Sequence, residues 1–186
     1  MSKAVLISIR PKWCEKIVNG EKTTEVRKTR PKLETPFKCY IYCTLPKYPH
    51  EDFIATDYPM PQFYGGGKVI GEFVCDCITP LYNVCMDDWK RLAGGLHNIE
   101  KELVNQACLT EAKLHTYAGG KNCFAWHISD LLIYDQPREL TAFRRACPSS
   151  WYCESCAMYW ENNGTCGNES LQIRRPPQSW CYVEEG

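Results

Sequence analysis

Apolar residues along this chain recur at two spacings, one of strands and one of helices. Residues 4–9 form an apolar run of strand length. Over 11–19, Trp13, Ile17 and Val18 fall at helical spacing. Gly20 follows as a helix terminator, because a left-handed cap carries no Cβ penalty at glycine. A short strand is predicted over 24–28. Over 37–44, Cys39, Ile41 and Cys43 alternate with Lys38, Tyr40 and Tyr42, which is a strand pattern. Residues 45–67, rich in proline, tyrosine and glycine, read as a long irregular loop of the kind that commonly carries function. Residues 68–78 return to strand, and Gly71 marks a bulge or bend within it. Helices are predicted over 86–93, 99–107 and 111–117, the last capped by Thr110. Residues 123–134 read as one strand, 140–145 as a helical turn, and 179–184 as a final strand after Pro176 and Pro177. Short strands mixed with helices predict an α+β fold with helices packed outside a sheet.

Composition adds a compartment and a charge asymmetry. At 186 residues, 44% hydrophobic, the chain is long enough for one cored domain with an appended module. It has no apolar run of about 18 residues, so no membrane span is expected, and its first residues read as a strand and not as a signal peptide. Thirteen cysteines is a high and odd count. Without a signal peptide it points to a reducing cytoplasm, with some thiols buried and others on a metal. Net charge is zero, yet residues 1–50 hold eleven lysines and arginines against four acids, and the remainder eleven against eighteen. The cluster Lys22, Arg27, Lys28, Arg30 and Lys32 reads either as a phosphate footprint or as a solvated charged edge.

The candidate chemistry starts in that basic third. Gly20 to Arg27 fits the pattern G-x-K-x-x-E-x-R. If 24–28 is a strand, Glu25 and Arg27 share one face and Thr24 and Val26 the other, with Lys22 at the turn able to reach the Glu25 side. A carboxylate between two cations suits a polar or anionic ligand, or general base chemistry. The plainer reading is a surface ion-pair cluster that contributes little. His127, between Trp126 and Ile128, is either a pocket residue or a hydrogen-bonded strand histidine. Tyr58, Phe63 and Tyr64 either stack on a base or anchor their own loop. No G-x-S-x-G, P-loop or H-E-x-x-H pattern occurs.

The G-x-K-x-x-E-x-R pattern resembles the ASCH family of the PUA-like superfamily. The stretch from Leu6 through Arg10 to Trp13 resembles that family's opening strand and helix entry, and Phe124 to Asp130 resembles a late barrel strand. The resemblance implies a PUA-like mixed β-barrel over 1–146 and 172–186. It also implies binding of RNA or a modified nucleoside, with Lys22, Glu25, Arg27, Arg10, Tyr64 and His127 as the ligand-binding set. No membrane or protein partner is predicted. Some relatives are amidohydrolases on acetylated cytidine and others ribonucleases, so a small hydrolase using Lys22 and Glu25 is the alternative. The amidohydrolase relatives carry a nucleophilic threonine three residues after the lysine, where this chain has Glu25.

Residues 147–171 form a cysteine-rich insertion. Cys147, Cys153, Cys156 and Cys166 give a C-x5-C-x2-C-x9-C spacing in a polar segment too poor in apolar residues to fold alone. Four thiolates predict a structural zinc site, with an iron–sulfur cluster as the alternative cofactor. Cys181 competes with Cys147 for the fourth place.

Overall fold

The computed structural model describes residues 3–45, 53–55, 62–81, 98–145, 156–163 and 166–184. The side chains of 53–55, 62–64, 98 and 99 are outside that description. The described elements are β1 (Lys3–Ile9), α1 (Pro11–Val18), β2 (Thr24–Arg27), β3 (Phe37–Cys43), β4 (Phe53–Ala55), β5 (Gln62–Tyr64), β6 (Lys68–Cys75), β7 (Ile78–Leu81), α2 (Asn98–Gln106), α3 (Glu111–Ala118), β8 (Cys123–His127), β9 (Ser129–Glu139), α4 (Ala157–Glu161) and β10 (Trp180–Glu184). Single 3₁₀ turns lie at Leu140–Ala142 and Glu169–Leu171. The predicted helix over 86–93 lies outside the described residues.

A five-stranded sheet runs β10-β1-β3-β6-β9, and a three-stranded sheet runs β2-β8-β7. β1 is parallel to β3 and antiparallel to β10. The large sheet buries both faces because β3 carries Cys39 and Ile41 on one and Tyr40 and Tyr42 on the other, beside a β1 that is apolar on both. On one face Val5, Ile7, Ile9, Cys39, Ile41, Ile70 and Phe73 meet Cys14 and Ile17 of α1 and Trp126 of the small sheet. On the other, Leu6, Tyr40, Tyr42 and Val183 pack under Leu140, Phe143 and Ile173. A third cluster joins Val26, Cys123 and Ala125 of the small sheet to Val104, Leu114 and Ala118 of α2 and α3.

The two sheets are not closed into a barrel, which corrects the expectation drawn from the family resemblance. A closed barrel needs a continuous backbone ladder, but the edge strands β2 and β7 of the small sheet pair with neither edge strand of the large one, and the Arg27 side chain bridges β2 to β1. β10 begins at Trp180, opposite Ile7. One residue on, the Ser8 amide donates to the Ser179 carbonyl at 2.9 Å, while the Ser8 carbonyl accepts from Arg27 Nη2 at 2.6 Å.

Other differences have local causes. The single strand predicted over 123–134 is two, because the chain turns at Ile128 and Asp130 adopts a left-handed φ of 46°. Pro137 lies inside β9, which tolerates it as an edge strand. The 68–78 strand breaks at Asp76 and Cys77, so that Ile78 opens β7 against β8. The stretch 45–67 contains a two-stranded ladder, β4 with β5. The bulge expected at Gly71 is present: the register slips between Val69 and Gly71, and a Cβ there would collide with the Leu132 carbonyl. Residues 143–145 and 171–173 lie side by side, since Arg145 N donates to Leu171 O at 2.8 Å and Ile173 N to Phe143 O at 2.9 Å. Among the described residues no helix is long and apolar enough to cross a membrane.

Candidate functional site

Lys22, Glu25 and Arg27 are brought together at that seam. The helix α1 ends at Asn19, and Gly20 takes φ 72°, reversing the chain. Lys22 then sits where the turn meets the start of β2. In β2, Val26 faces the helical layer and Thr24 Oγ1 donates to Gln106 Oε1 at 3.1 Å. The pleat therefore turns Glu25 and Arg27 the other way, toward the five-stranded sheet. All three are buried, at 3%, 7% and 8% exposure, which excludes the plain surface-cluster reading.

Each charge has a defined set of partners. Lys22 Nζ donates to the Thr24 carbonyl at 2.7 Å and the Ala107 carbonyl at 2.9 Å, and faces Glu25 Oε2 at 3.2 Å. Two of its three protons are thus taken by backbone carbonyls. Arg27 Nε faces Glu25 Oε1 at 3.1 Å. Its Nη2 bonds the Ser8 carbonyl and its Nη1 reaches Ser179 Oγ at 3.4 Å. Both ion pairs are close but poorly aligned: Glu25 Oε2 and Arg27 Nε are buried and make no hydrogen bond. Glu25 consequently keeps acceptor capacity in an interior where unpaired polar groups are costly.

The triad lines a cavity of about 960 Å³, at the upper end of the roughly 300–1,000 Å³ typical of small-molecule sites. Most of its wall comes from four segments, with Thr44 and Leu109 beside them: the stretch from Ser8 to Trp13 at the start of α1, β2, the face of α3 bearing Ala112, Lys113, Thr116 and Tyr117, and the loop 176–179 ahead of β10. Its charged residues are Arg10, Lys12, Lys22, Arg27, Lys113 and the single acid Glu25. Trp13 lies between rim and floor, with Lys12 Nζ 4.9 Å and Lys22 Nζ 5.3 Å from its ring centroid. At the α3 side, Lys28 Nζ sits 5.3 Å from the Tyr117 ring.

Of the predicted ligand-binding set, Arg10 joins the triad in the cavity wall. His127 does not line it. In register, Glu25 pairs with Trp126 and Thr24 with His127. Trp126 therefore shares the face of Glu25, and alternation carries His127 to the opposite one. There its Nδ1 meets Asp76 Oδ1 at 2.6 Å. The Tyr64 side chain and Tyr58 lie outside the described residues. Sequence reasoning missed Lys12, Lys113, Thr116, Tyr117 and the 176–179 loop. The i, i+1, i+4, i+5 spacing of 112, 113, 116 and 117 marks one helix face, but only the fold shows that this face meets β2.

The cysteines divide by burial. Cys14, Cys39, Cys43, Cys75 and Cys123 are buried. Burial pushes the Cys14 and Cys39 thiols well up and Cys75 to about 12. Cys181 sits on the Leu6 side of the large sheet, half-buried against its second core, and burial raises its pKa as well. Of the predicted metal ligands, Cys156 is exposed at the start of α4 and Cys166 is half-buried. Cys147 and Cys153 lie outside the described residues. Among the described residues no group of three or more metal-ligating side chains converges.

No protein-family model matches this chain, and no curated protein matches it. Solved structures do. A serine-to-alanine variant of an ASCH protein from Zymomonas mobilis superposes with a TM-score of 0.54 at 17% identity, over 98% of this chain and 89% of that one. The ASCH protein from the same organism gives 0.52 at 19% identity, over 98% and 88%. The fold of this chain is that of the ASCH proteins.

Proposed function

We propose that this chain binds RNA or a modified nucleoside in the cavity beside β2. The observation that carries the reading is Glu25: a buried carboxylate with unused acceptor capacity, in a cavity whose other charged groups are all cations. Such a carboxylate accepts from the amino or imino group of a base, and the surrounding cations favour the phosphates that accompany bases. Trp13 and Tyr117 supply flat apolar surface of the kind on which bases stack. The ASCH fold agrees with this reading but does not fix it.

Hydrolysis receives less support. An oxyanion stabiliser needs a proton aimed at where charge develops, whereas the Lys22 ammonium already donates to the Thr24 and Ala107 carbonyls and faces Glu25 at 3.2 Å. Lys22 serves better as the group that positions Glu25. For the cysteine-rich insertion we propose a structural zinc on Cys147, Cys153, Cys156 and Cys166. The packing of Cys181 in the sheet favours Cys147 as the fourth ligand. The abundance of free thiols fits a reducing cytoplasm.

The test is Glu25→Gln, titrated calorimetrically against short single-stranded RNAs and a panel of modified nucleosides. Loss of a charged hydrogen bond of about 1.5–3 kcal/mol should weaken affinity by at least about tenfold. Undiminished affinity in a folded variant, or no saturable binding by the native protein, would refute the reading. Turnover by the native protein that disappears in the variant while binding survives would favour the hydrolase.

A further inference from the structure

The inference rests on the binding reading above: the cavity that takes the ligand has two chemically different ends. One end is the Glu25 carboxylate on the floor. The other is the amino end of α1, where residues 9, 10, 12 and 13 form part of the wall. That end has no side-chain cap, and no acid lies in its first turn. The amides of Trp13 and Cys14 both turn back to the Arg10 carbonyl, at 2.9 and 3.0 Å. Pro11 carries no N–H. The Lys12 amide is left without an acceptor among the described residues. A helix start in this state carries partial positive charge and an orphan donor. Arg10 and Lys12, both exposed, flank it, and Lys113 lines the same cavity from α3.

Neither end alone would define a ligand. Together they select a molecule that is anionic at one end and carries an N–H donor at the other. The two ends are also close. Lys12 Nζ lies 4.9 Å from the Trp13 centroid, Lys22 Nζ lies 5.3 Å from the same centroid, and Lys22 Nζ is 3.2 Å from Glu25. The distance from rim ammonium to floor carboxylate is bounded by those three steps, a span one nucleotide covers from phosphate to base edge. Trp13 lies between, offering a flat face to the part of the ligand that joins them.

We propose that the cavity takes a single phosphorylated nucleoside unit, with its phosphate on the amino end of α1 between Arg10, Lys12 and Lys113, and its base presenting an N–H edge to Glu25. The unit is either a free mononucleotide or one residue of an RNA chain, since both offer the same phosphate and base.

The experiment measures calorimetric affinities of the four common nucleosides, their 5′- and 3′-monophosphates and a short single-stranded RNA. It uses the native protein and the Arg10→Ala and Lys12→Ala variants, both at exposed positions. At least one monophosphate should bind about tenfold or more tighter than its nucleoside, and each variant should shrink that ratio several-fold. If only the RNA binds, and both variants weaken it, the phosphate site stands and the unit belongs to a chain. If the RNA or a nucleoside saturates the cavity, but phosphate gives no advantage and the variants bind like the native protein, the phosphate site is overturned while the binding function survives. If nothing binds at all, both fail. Unchanged thermal midpoints show that the variants are folded.

Discussion

Replacing Lys22 with Met probes whether the buried triad holds the site together. Methionine keeps an unbranched apolar stem but removes every proton. The carbonyls of Thr24 and Ala107 then lose donors at 2.7 and 2.9 Å, and Glu25 loses the cation at 3.2 Å. A buried acceptor left unpaired costs about 1–3 kcal/mol, and a buried ion pair broken from one side about 3–5 kcal/mol. These contributions overlap, because Arg27 still faces Glu25 and cavity water can reach part of the carboxylate. We therefore expect a loss of about 3–5 kcal/mol, a large share of the roughly 5–15 kcal/mol margin of a typical domain. Urea unfolding followed by tryptophan fluorescence, with linear extrapolation, measures it. Lys16→Met is the control: its ammonium meets Glu21 at 2.5 Å on the surface, and its midpoint should barely move. A loss below about 1 kcal/mol for Lys22→Met would refute the argument, because that is the size of an exposed ion pair.

Protein purified under reducing conditions should carry about one zinc per chain by elemental analysis. Finding neither zinc nor iron would remove the metal from the 147–171 segment. If Lys28, Arg30 and Lys32 extend the cavity's positive field along an RNA backbone, replacing all three should weaken different sequences about equally and flatten the salt dependence; an unchanged salt slope would confine binding to the cavity. Burial raises the Cys75 pKa from 9.0 to about 12, so the folded state holds that proton more tightly than the unfolded one. Its contribution is complete below about pH 9 and is lost as pH rises toward about 12. Cys75→Ala should therefore show a shallower alkaline decline in stability than the native protein over that window, and equal slopes would count against it.

What could be read from the sequence was what depends on neighbours along the chain. The helix over 11–19, its Gly20 reversal and the facing of Glu25 and Arg27 follow from spacing alone, and the structure places all three as spacing requires. The convergence of Lys22, Glu25 and Arg27 was legible for the same reason, since they lie within six residues. What spacing could not supply was register between strands. His127 alternates with Trp126, but which of them faces Glu25 depends on the β2–β8 pairing. The α3 wall and the 176–179 loop are likewise long-range products, joined to β2 through the third core and the Arg27 contacts. The break at Ile128 did have a local sign, the polar pair Ser129 and Asp130 that follows it, but the apolar residues on either side of that pair read as one run.

The open seam between the sheets and the cavity have one cause. β1 is paired on both sides, with β10 and β3, so β2 meets it through side chains and not through a backbone ladder. Arg27 spans the gap between them, reaching the Ser8 carbonyl with Nη2 and Ser179 Oγ with Nη1. A guanidinium inserted there needs a counter-charge, which Glu25 supplies, and Glu25 in turn needs a second cation to balance its burial, which Lys22 supplies. Lys22 then draws its remaining partners from Thr24 and Ala107, tying β2 to the chain just after α2. The spacing K-x-x-E-x-R thus suits a split sheet: a bridge, its counter-ion and an anchor on one short strand and the turn before it. The cavity lies where the split is bridged, so a ligand entering there meets the same charges that span it.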